Sequence, residues 1–353
     1  MLIPLPIRCF ANPQAFLASA SAADWTDLLQ QARSLGLTAQ LRALFVRHSL
    51  FQQLPATVQR HCDWGWRYYQ KQQASLFNEL LQLEPCLAQA SYPCVLLKGA
   101  AYQALGLAVS EGRLYSDIDL LVNRQQLNDC KAKLFFAGFF EPVMSAYDKH
   151  FYLELSHENP PLYHVKRGTA IDLHFALFPL AGQKKLATEQ VFQHANPIAG
   201  SCLQTPSLSY LYIHAAIHFF WQEEQHKLVK DLIDLDLLCS ELAGQQRLTQ
   251  LLCDSEQFGA LEPVVNTLLL VQRLFGREFP VDIAAILAHS SKRRTVARAL
   301  VLAQLHFGIK ARLAGALWYL RGYRHKMHWR ALTRHVWVKS KLAWQQRSKK
   351  YTS

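Results

Sequence analysis

Two aspartates, Asp117 and Asp119, alternate with apolar residues in the segment Ser-Asp-Ile-Asp-Leu-Leu-Val at positions 116–122. In a β-strand, side chains two positions apart project from the same face, so both carboxylates would point together. Adjacent carboxylates repel each other, and a divalent cation bound between them removes that repulsion. Paired carboxylates hold Mg²⁺ in sites that transfer phosphate groups. The segment therefore predicts a strand that carries a magnesium site.

A second segment, Ile-Asp-Leu-His-Phe at 171–175, places Asp172 and His174 on one strand face. If this strand lies beside the first one, the carboxylates of Asp117, Asp119 and Asp172 converge. Three acids could hold two metal ions, which activate an attacking hydroxyl and steady the α-phosphate and the leaving pyrophosphate of a nucleotide. In that arrangement one of the acids accepts the proton of the hydroxyl.

Hydrophobic periodicity predicts the elements that would position these residues. The pattern is helical at 12–90, mixed α and β at about 91–205, and helical again from 206 onward. A short strand that ends in a turn at Lys98 and Gly99 precedes the paired aspartates. Strands are predicted at 95–97, 117–122, 151–153, 162–165 and 170–175, and helices at 100–105, 124–136, 207–221, 225–243 and 245–257.

The order of these features resembles that of the DNA polymerase β-like nucleotidyltransferase superfamily. The features are a turn glycine after a strand, a short helix, an Asp-x-Asp strand and a lone acid on a later strand. Leu-Lys-Gly at 97–99, Arg113, Asp-Ile-Asp at 117–119 and Asp-Leu-His at 172–174 look similar to the uncharacterised bacterial nucleotidyltransferase family of that superfamily. The resemblance covers residues 91–240. It implies an α+β fold with a polymerase-β-type nucleotidyltransferase core, a mixed β-sheet with flanking helices, between N-terminal and C-terminal helical regions.

On this basis we predict four regions along the chain. Residues 1–90 form an N-terminal helical region, and residues 91–205 form the nucleotidyltransferase core. Residues 206–290 form a helical domain that packs on the core. Residues 291–353 form a basic, aromatic-rich helical tail.

The resemblance implies a Mg²⁺-dependent nucleotidyltransferase of the EC 2.7.7 type. Such an enzyme moves a nucleoside monophosphate from an NTP such as ATP to a hydroxyl of an acceptor, and it releases pyrophosphate. The acceptor could be a small molecule, a sugar, a peptide or a protein. Asp117, Asp119 and Asp172 would be the catalytic residues and the ligands of two Mg²⁺ ions, with Asp172 as the general base. Two other functions stay open: a non-catalytic nucleotide-binding scaffold, and a toxin-like nucleotidyltransferase that modifies tRNA or protein.

Four further residues are predicted to bind the nucleotide through this resemblance. Gly99 would let the backbone approach the triphosphate, and Lys98 and Arg113 would neutralise phosphate charge. His174 would contact phosphate. Alternatives stay open, because Lys98 and Arg113 could pair with local acids and His174 could pack in the core.

His214 and His218 lie one helical turn apart, which is the spacing of a metal-binding pair. No cysteine or third histidine is placed to complete a zinc site, so we predict packing, or a wall of the nucleotide pocket, instead. The eight cysteines are scattered without a Cys-x-x-Cys pair. That distribution indicates buried thiols in a reducing cytoplasm and not a disulfide or zinc framework.

The net charge of +12 belongs to the end of the chain. No acidic residue follows Asp282, whereas 16 Lys and Arg lie between positions 292 and 350, so the first 291 residues carry a net charge of −4. Basic residues interleaved with tryptophan and tyrosine suit an anionic membrane surface, an acidic protein or a nucleic acid. The N-terminus lacks the pattern of a signal peptide, and no apolar run reaches the roughly 20 residues that span a bilayer. We therefore predict a cytoplasmic protein whose tail associates peripherally with the inner membrane surface.

Overall fold

The protein has the mixed α and β organisation that the sequence predicts, in a computed structural model. The structure describes residues 3–182, 184, 186–221, 227–291, 296–305, 309–326 and 333. Predictions for the tail beyond 326, apart from residue 333, lie outside the described residues. A continuous hydrophobic core joins the described elements, from Ile7 in the first helix to Trp318 in the last.

In the part of the chain that the structure describes, five α-helices precede the sheet, and local capping chemistry determines where the third of them begins and ends. Ser21 and Asp24 form a reciprocal capping box, in which each side chain accepts a backbone N–H at the start of the third helix. Gly36 follows the last residue of that helix. Its φ of +69° lies in the left-handed region, which glycine adopts without strain. The helices are α1 (Leu5–Ala11), α2 (Pro13–Ser19), α3 (Ala22–Leu35), α4 (Thr38–Arg47) and α5 (Ala56–Leu87).

The described strands form one mixed sheet of seven strands in the order β3-β4-β5-β2-β1-β7-β6. β2 pairs in parallel with β5, β1 pairs in parallel with β7, and the remaining neighbours are antiparallel. The two acid-bearing strands therefore lie side by side, which is the condition that the sequence set for the three carboxylates to converge. The strands are β1 (Cys94–Leu96), β2 (Asp117–Leu121), β3 (Phe139–Phe140), β4 (Leu162–His164), β5 (Ala170–His174), β6 (Asn196–Pro197) and β7 (Leu203–Thr205).

Short helices connect the strands, and a helical turn lies where the sequence predicts one further strand. The predicted strand at 151–153 is wrong, because Phe151–Leu155 forms a π-helical turn. This turn continues a helix that begins where the Ser145 side chain accepts the backbone N–H of Asp148. The helices of this region are α6 (Lys98–Ala104), α7 (Leu127–Phe136), α8 (Ala146–His150) and α9 (Glu189–Gln193).

Helices after the sheet pack around α10, most of whose residues are buried. Trp318 of the last described helix is fully buried and packs its ring near Phe219 and Phe220, so this tryptophan of the predicted basic tail belongs to the core. None of the described helices has the length and apolar character needed to cross a membrane. The helices are α10 (Leu208–Trp221), α11 (Leu228–Gly244), α12 (Leu248–Phe258), α13 (Leu261–Phe275), α14 (Val281–Ser291), α15 (Val296–Gln304) and α16 (Ile309–Lys326).

A buried carboxylate on α5 fixes the turn that leads into β5. The Nε of Arg167 is shared between the two oxygens of Glu79, at 2.8 and 3.1 Å, its Nη2 donates to Oε1 at 2.5 Å, and the Thr169 hydroxyl donates to Oε2 at 2.7 Å. Burial alone would raise the pKa of Glu79, but the bonds from Arg167 and Thr169 outweigh burial and lower it. The long helix thereby holds the strand that carries Asp172.

We expect Glu79→Gln to lower the free energy of unfolding by about 2 kcal/mol at pH 7, because it removes charge-assisted hydrogen bonds to a buried group. A carboxylate whose folded pKa is lowered stabilises the fold above its unfolded pKa and loses that contribution as the pH falls. The difference in the free energy of unfolding between wild type and variant should therefore become smaller below about pH 4.5. Urea unfolding at several pH values measures it, and a gap that is constant with pH would contradict the account.

Candidate active site

The register of two parallel strands brings the predicted carboxylates together. Asp119 of β2 lies directly opposite Asp172 of β5, and Asp117 lies opposite Ala170. Because alternate residues of a strand share one face, Asp117, Asp119 and Asp172 project from the same side of the sheet. Ile118, Leu120, Ile171 and Leu173 are buried on the other side.

Asp119 is the most enclosed of the three acids, with 2% of its surface exposed. Its Oδ1 accepts a hydrogen bond from Lys98 Nζ at 2.7 Å and one from His174 Nε2 at 2.9 Å. Burial alone would raise the pKa of Asp119, but the Lys98 charge and the His174 bond outweigh burial and hold the pKa well below its usual range. Asp119 is thus a buried anion with two bound partners.

Lys98 reaches Asp119 from a strained backbone position. It is the first residue of α6, two positions after the end of β1, and its φ is +45°. A non-glycine residue in this region costs about 1–3 kcal/mol and persists only where its surroundings determine it. Here the antiparallel pairing of β1 with β2 and the ion pair with Asp119 hold it in place. The strain marks Lys98 as a residue with a constrained orientation at the site.

Asp117 and Asp172 are half-buried, and they flank Asp119 along β2 and across to β5. The Ser116 hydroxyl donates to Asp117 Oδ2 at 2.9 Å. Burial raises the pKa of Asp172 to about 7, and the negative charges of Asp119, Glu158 and Asp117 add to the increase. The three aspartates and Glu158 therefore carry an excess of negative charge, which Lys98 offsets in part.

Asp117 and Asp119 line a cleft of about 290 Å³ between the sheet and the helices that follow it, whereas Asp172, beside Asp119 on β5, is not among its described lining residues. α10 and α11 close the cleft from the side opposite β2. Cationic and aromatic side chains alternate with the acids around it. The lining residues include Lys98, Gly99, Tyr102, Arg113, Tyr115, Ser116, Asp117 and Asp119, together with His214, His218, Lys227, Lys230, Asp231 and Asp234.

Arg113 forms an ion pair across the cleft. Its Nε donates to Asp234 Oδ2 at 2.8 Å, and both side chains are mostly buried. A Cβ atom added to Gly99 would lie 2.8 Å from Arg113 Nη1, so the glycine leaves the space that the guanidinium fills. Arg113 therefore ties the loop before β2 to α11, which is the pairing with a local acid that the sequence left open.

The structure shows where the four residues that were predicted to bind the nucleotide lie relative to the cleft. Lys98, Gly99 and Arg113 line the cleft. His174 does not reach it, because its side chain is fully buried and hydrogen-bonds Asp119 from within the protein. The sequence left His174 open between phosphate contact and packing in the core, and the structure gives it a buried position beside Asp119.

His214 and His218 combine the two roles that the sequence suggested for them. Both line the cleft, and both are largely enclosed. Burial lowers the pKa of His214 to about 3, with the charge of Lys98 adding to the effect. Burial and the Lys98 charge also place the pKa of His218 well below its usual range. Both rings are therefore neutral at pH 7 and shape the wall without adding charge.

Lys227 and Lys230 are cleft residues that the sequence analysis missed. They precede Asp231 at the start of α11, and they gave no signal of their own because their spacing is ordinary for a helix. Lys230 Nζ donates to the Leu114 carbonyl at 2.9 Å. Burial and then the Arg113 charge lower the pKa of Lys230 to about 8. A desolvated cation beside the acids suits an anionic ligand that brings its own negative charge.

The search of known families decides the classification. A model of an uncharacterised nucleotidyltransferase family matches residues 21–276. The chain belongs to this uncharacterised nucleotidyltransferase family. The match runs from α3 to the end of α13 and so includes the acid-bearing strands and the cleft helices. Searches of curated proteins and of solved structures each found no match. Membership of the nucleotidyltransferase family supports nucleotidyl transfer as the general function and a transferase as the general class.

Proposed function

We propose that the protein is a Mg²⁺-dependent enzyme of the EC 2.7.7 type, built on a polymerase-β-type core. It transfers a nucleoside monophosphate from an NTP to the hydroxyl of an acceptor and releases pyrophosphate. The observation that carries the proposal is the strand register, which sets Asp119 opposite Asp172 and places Asp117 on the same face. Family membership supports the same reaction class.

The three aspartates fit a magnesium site by their chemistry. They offer carboxylate oxygens, which are the donors that Mg²⁺ prefers. Burial raises the pKa of Asp172, and the negative charges of Asp119, Glu158 and Asp117 add to the increase; a bound cation would offset that repulsion. Both hydrogen bonds to Asp119 go to Oδ1, so we expect Oδ2 to be the atom that binds a cation. When bound there, Mg²⁺ supplies charge stabilisation for the phosphates and lowers the pKa of the acceptor hydroxyl.

The cations of the cleft would hold the triphosphate. Lys98, Lys227 and Lys230 line it from the sheet side and from α11. Triphosphate oxygens carry negative charge that these ammonium groups can neutralise in a partly desolvated space. The cleft is large enough for part of a nucleotide, and Tyr102 and Tyr115 offer ring surfaces beside the phosphates.

Asp172 is the proposed general base. It lies opposite Asp119 on the neighbouring strand, and a carboxylate there can accept the proton of an acceptor hydroxyl. Asp119 stays ionised because Lys98 and His174 bond to it, so its charge remains available to orient the reacting groups. The two acids thus have separate tasks, which their different environments favour.

We expect Lys230→Met to raise the KM for NTP about tenfold at pH 7, since it removes one cation from the cleft. A lysine with a pKa of about 8 is charged below that value and neutral above it. The wild-type KM should therefore rise as the pH increases through 8, and the KM of the variant should lack that rise. Initial rates from pH 6.5 to 9 measure both. An unchanged KM in the variant would remove Lys230 from the proposed phosphate site.

A label-transfer screen tests the proposed reaction. The full chain is incubated in native cell extract with Mg²⁺ and each α-phosphate-labelled NTP in turn, and the products are separated by size. We expect one NTP to label one class of molecule, with the label lost in Asp119→Asn. NTP-dependent stabilisation of the fold without any labelled product would favour a non-catalytic nucleotide-binding protein instead. Labelled tRNA, with growth arrest on expression, would favour a toxin-like enzyme.

A further inference from the structure

His157, Glu158 and His174 form a second cluster of metal-ligating side chains, next to the aspartates. One ligand atom from each residue can be chosen so that all three atoms lie within 4.8 Å of one another. Among the described residues, no other group of three His, Cys, Asp or Glu side chains comes so close together.

Backbone hydrogen bonds hold this cluster against the end of β5. The amides of Phe175 and Ala176 donate to the His157 carbonyl, at 2.9 and 3.1 Å, and Glu158 forms a β-bridge with His174. The segment that carries His157 and Glu158 is thereby fixed to the strand that carries His174. A metal site needs such support, because its ligands must stay in place when the metal is absent.

The ring of His174 is bonded on one side and unsatisfied on the other. Its Nε2 donates to Asp119 Oδ1 at 2.9 Å, and its Nδ1 is buried without a hydrogen-bond partner. Glu158 Oε2 lies 3.5 Å from that Nδ1. A neutral imidazole that donates through Nε2 presents a lone pair at Nδ1, so a lone pair and a carboxylate face each other. A cation between them removes the conflict.

His157 adds a second nitrogen to the same carboxylate. Its Nε2 lies 3.6 Å from Glu158 Oε2, its Nδ1 is buried without a hydrogen bond, and its ring centroid is 5.3 Å from that of His174. A proton on His174 would satisfy one nitrogen and leave His157 as it is. A single metal ion can bind both imidazoles and the carboxylate. The Glu158 side chain is 25% exposed, which gives an ion a route into the cluster.

We propose that His157, Glu158 and His174 bind a first-row transition metal, with zinc as the best-suited ion, at a site distinct from the aspartates. Two imidazole nitrogens with one carboxylate are a common ligand set for such ions, whereas Mg²⁺ prefers oxygen donors alone. The bound metal would fix the His174 ring with Nε2 toward Asp119. A ligating histidine that donates its other N–H to a carboxylate is the usual arrangement around a protein-bound zinc. The site does not depend on the proposed transfer reaction.

Metal binding without nucleotide tests this site. The purified full chain is stripped with a chelator, titrated with ZnCl₂, and its bound metal is measured by elemental analysis. We expect one zinc per wild-type chain, and affinity lower by at least about tenfold in His157→Ala and in Glu158→Gln. The matched controls, Glu154→Gln at an exposed acid and His194→Ala at an exposed histidine, should bind as the wild type does.

Two further measurements keep the outcome decisive. Co²⁺ replacing zinc reports nitrogen ligation through its visible spectrum, which His157→Ala should change and Asp117→Asn should not. Circular dichroism shows that each variant is folded, and Glu158→Gln is the mildest change because it keeps the side-chain shape. Wild-type protein that binds no zinc at micromolar concentrations would overturn the proposal. So would zinc binding that is lost in Asp117→Asn and kept in His157→Ala.

Discussion

Replacing Asp117 with asparagine is expected to lower NTP-dependent labelling of the acceptor about 1,000-fold, while the fold stays at least as stable as the wild type. Activity falls because stabilising transition-state charge through a metal site is worth several kcal/mol, and each 1.4 kcal/mol changes a rate tenfold. Stability should not fall, because the variant removes one of three negative charges that face one another. Initial rates with α-labelled NTP and urea unfolding measure the two effects separately.

The opposite directions of the two effects make this variant informative. Asparagine keeps an oxygen that can accept the Ser116 hydroxyl, so the local hydrogen bond is retained. Ser116→Ala is the matched control, because it removes that hydrogen bond and keeps the carboxylate; its activity should stay close to that of the wild type. An Asp117→Asn protein with undiminished activity would exclude Asp117 as a metal ligand. A loss of stability above about 1 kcal/mol would contradict the repulsion between the acids.

Replacing Lys98 with methionine should have the largest effect on stability. The change leaves the Asp119 carboxylate enclosed without the ammonium that lies 2.7 Å away, and breaking a buried pair in this way costs about 3 kcal/mol or more. Excess Mg²⁺ should restore part of the loss, because a cation bound to the aspartates replaces the missing positive charge. Urea unfolding with and without Mg²⁺ measures both effects. Transfer activity should fall as well, since Lys98 lines the cleft that we propose holds the triphosphate.

Lys131→Met provides the comparison for Lys98→Met. Lys131 is about as exposed as Lys98 and also pairs with a carboxylate, but that of Glu141 is 24% exposed, against 3% for Asp119. A partly solvated pair contributes about 1 kcal/mol or less, so this variant should lose little stability and should not respond to Mg²⁺. Equal losses in the two variants, or the same Mg²⁺ response in both, would show that Asp119 is not a special buried anion.

The acid-bearing strands could be predicted because their pattern is local. Alternating acids and apolar residues in β2 and β5 have the period of a strand, and one buried face fixes the register of such strands. The segment at 151–153 has the same apolar character, but the helix that Ser145 begins runs into it, and a three-residue apolar run does not distinguish the two states. The local pattern therefore predicted the two strands that carry the aspartates. It gave the wrong secondary structure at 151–153, where the helix that Ser145 caps determines the conformation.

The rest of the site depends on contacts between distant parts of the chain. His157 approaches His174 because backbone hydrogen bonds join its segment to the end of β5, and no residue spacing signals that contact. Lys230 lines the cleft because α11 folds back to the loop that carries Arg113, where Asp234 accepts from the guanidinium. The sequence indicated that His174 and Arg113 matter, but their partners could be identified only in the folded chain.

The most direct test of nucleotidyl transfer compares two positions of the label in the same NTP. Parallel reactions contain Mg²⁺, native extract and NTP labelled at either the α- or the γ-phosphate, with wild-type protein or Asp117→Asn. The account predicts that the α-label appears in the acceptor and the γ-label in pyrophosphate, and that both depend on Asp117. Transfer of the γ-label to the acceptor, or α-label transfer that is equal in the variant, would contradict it.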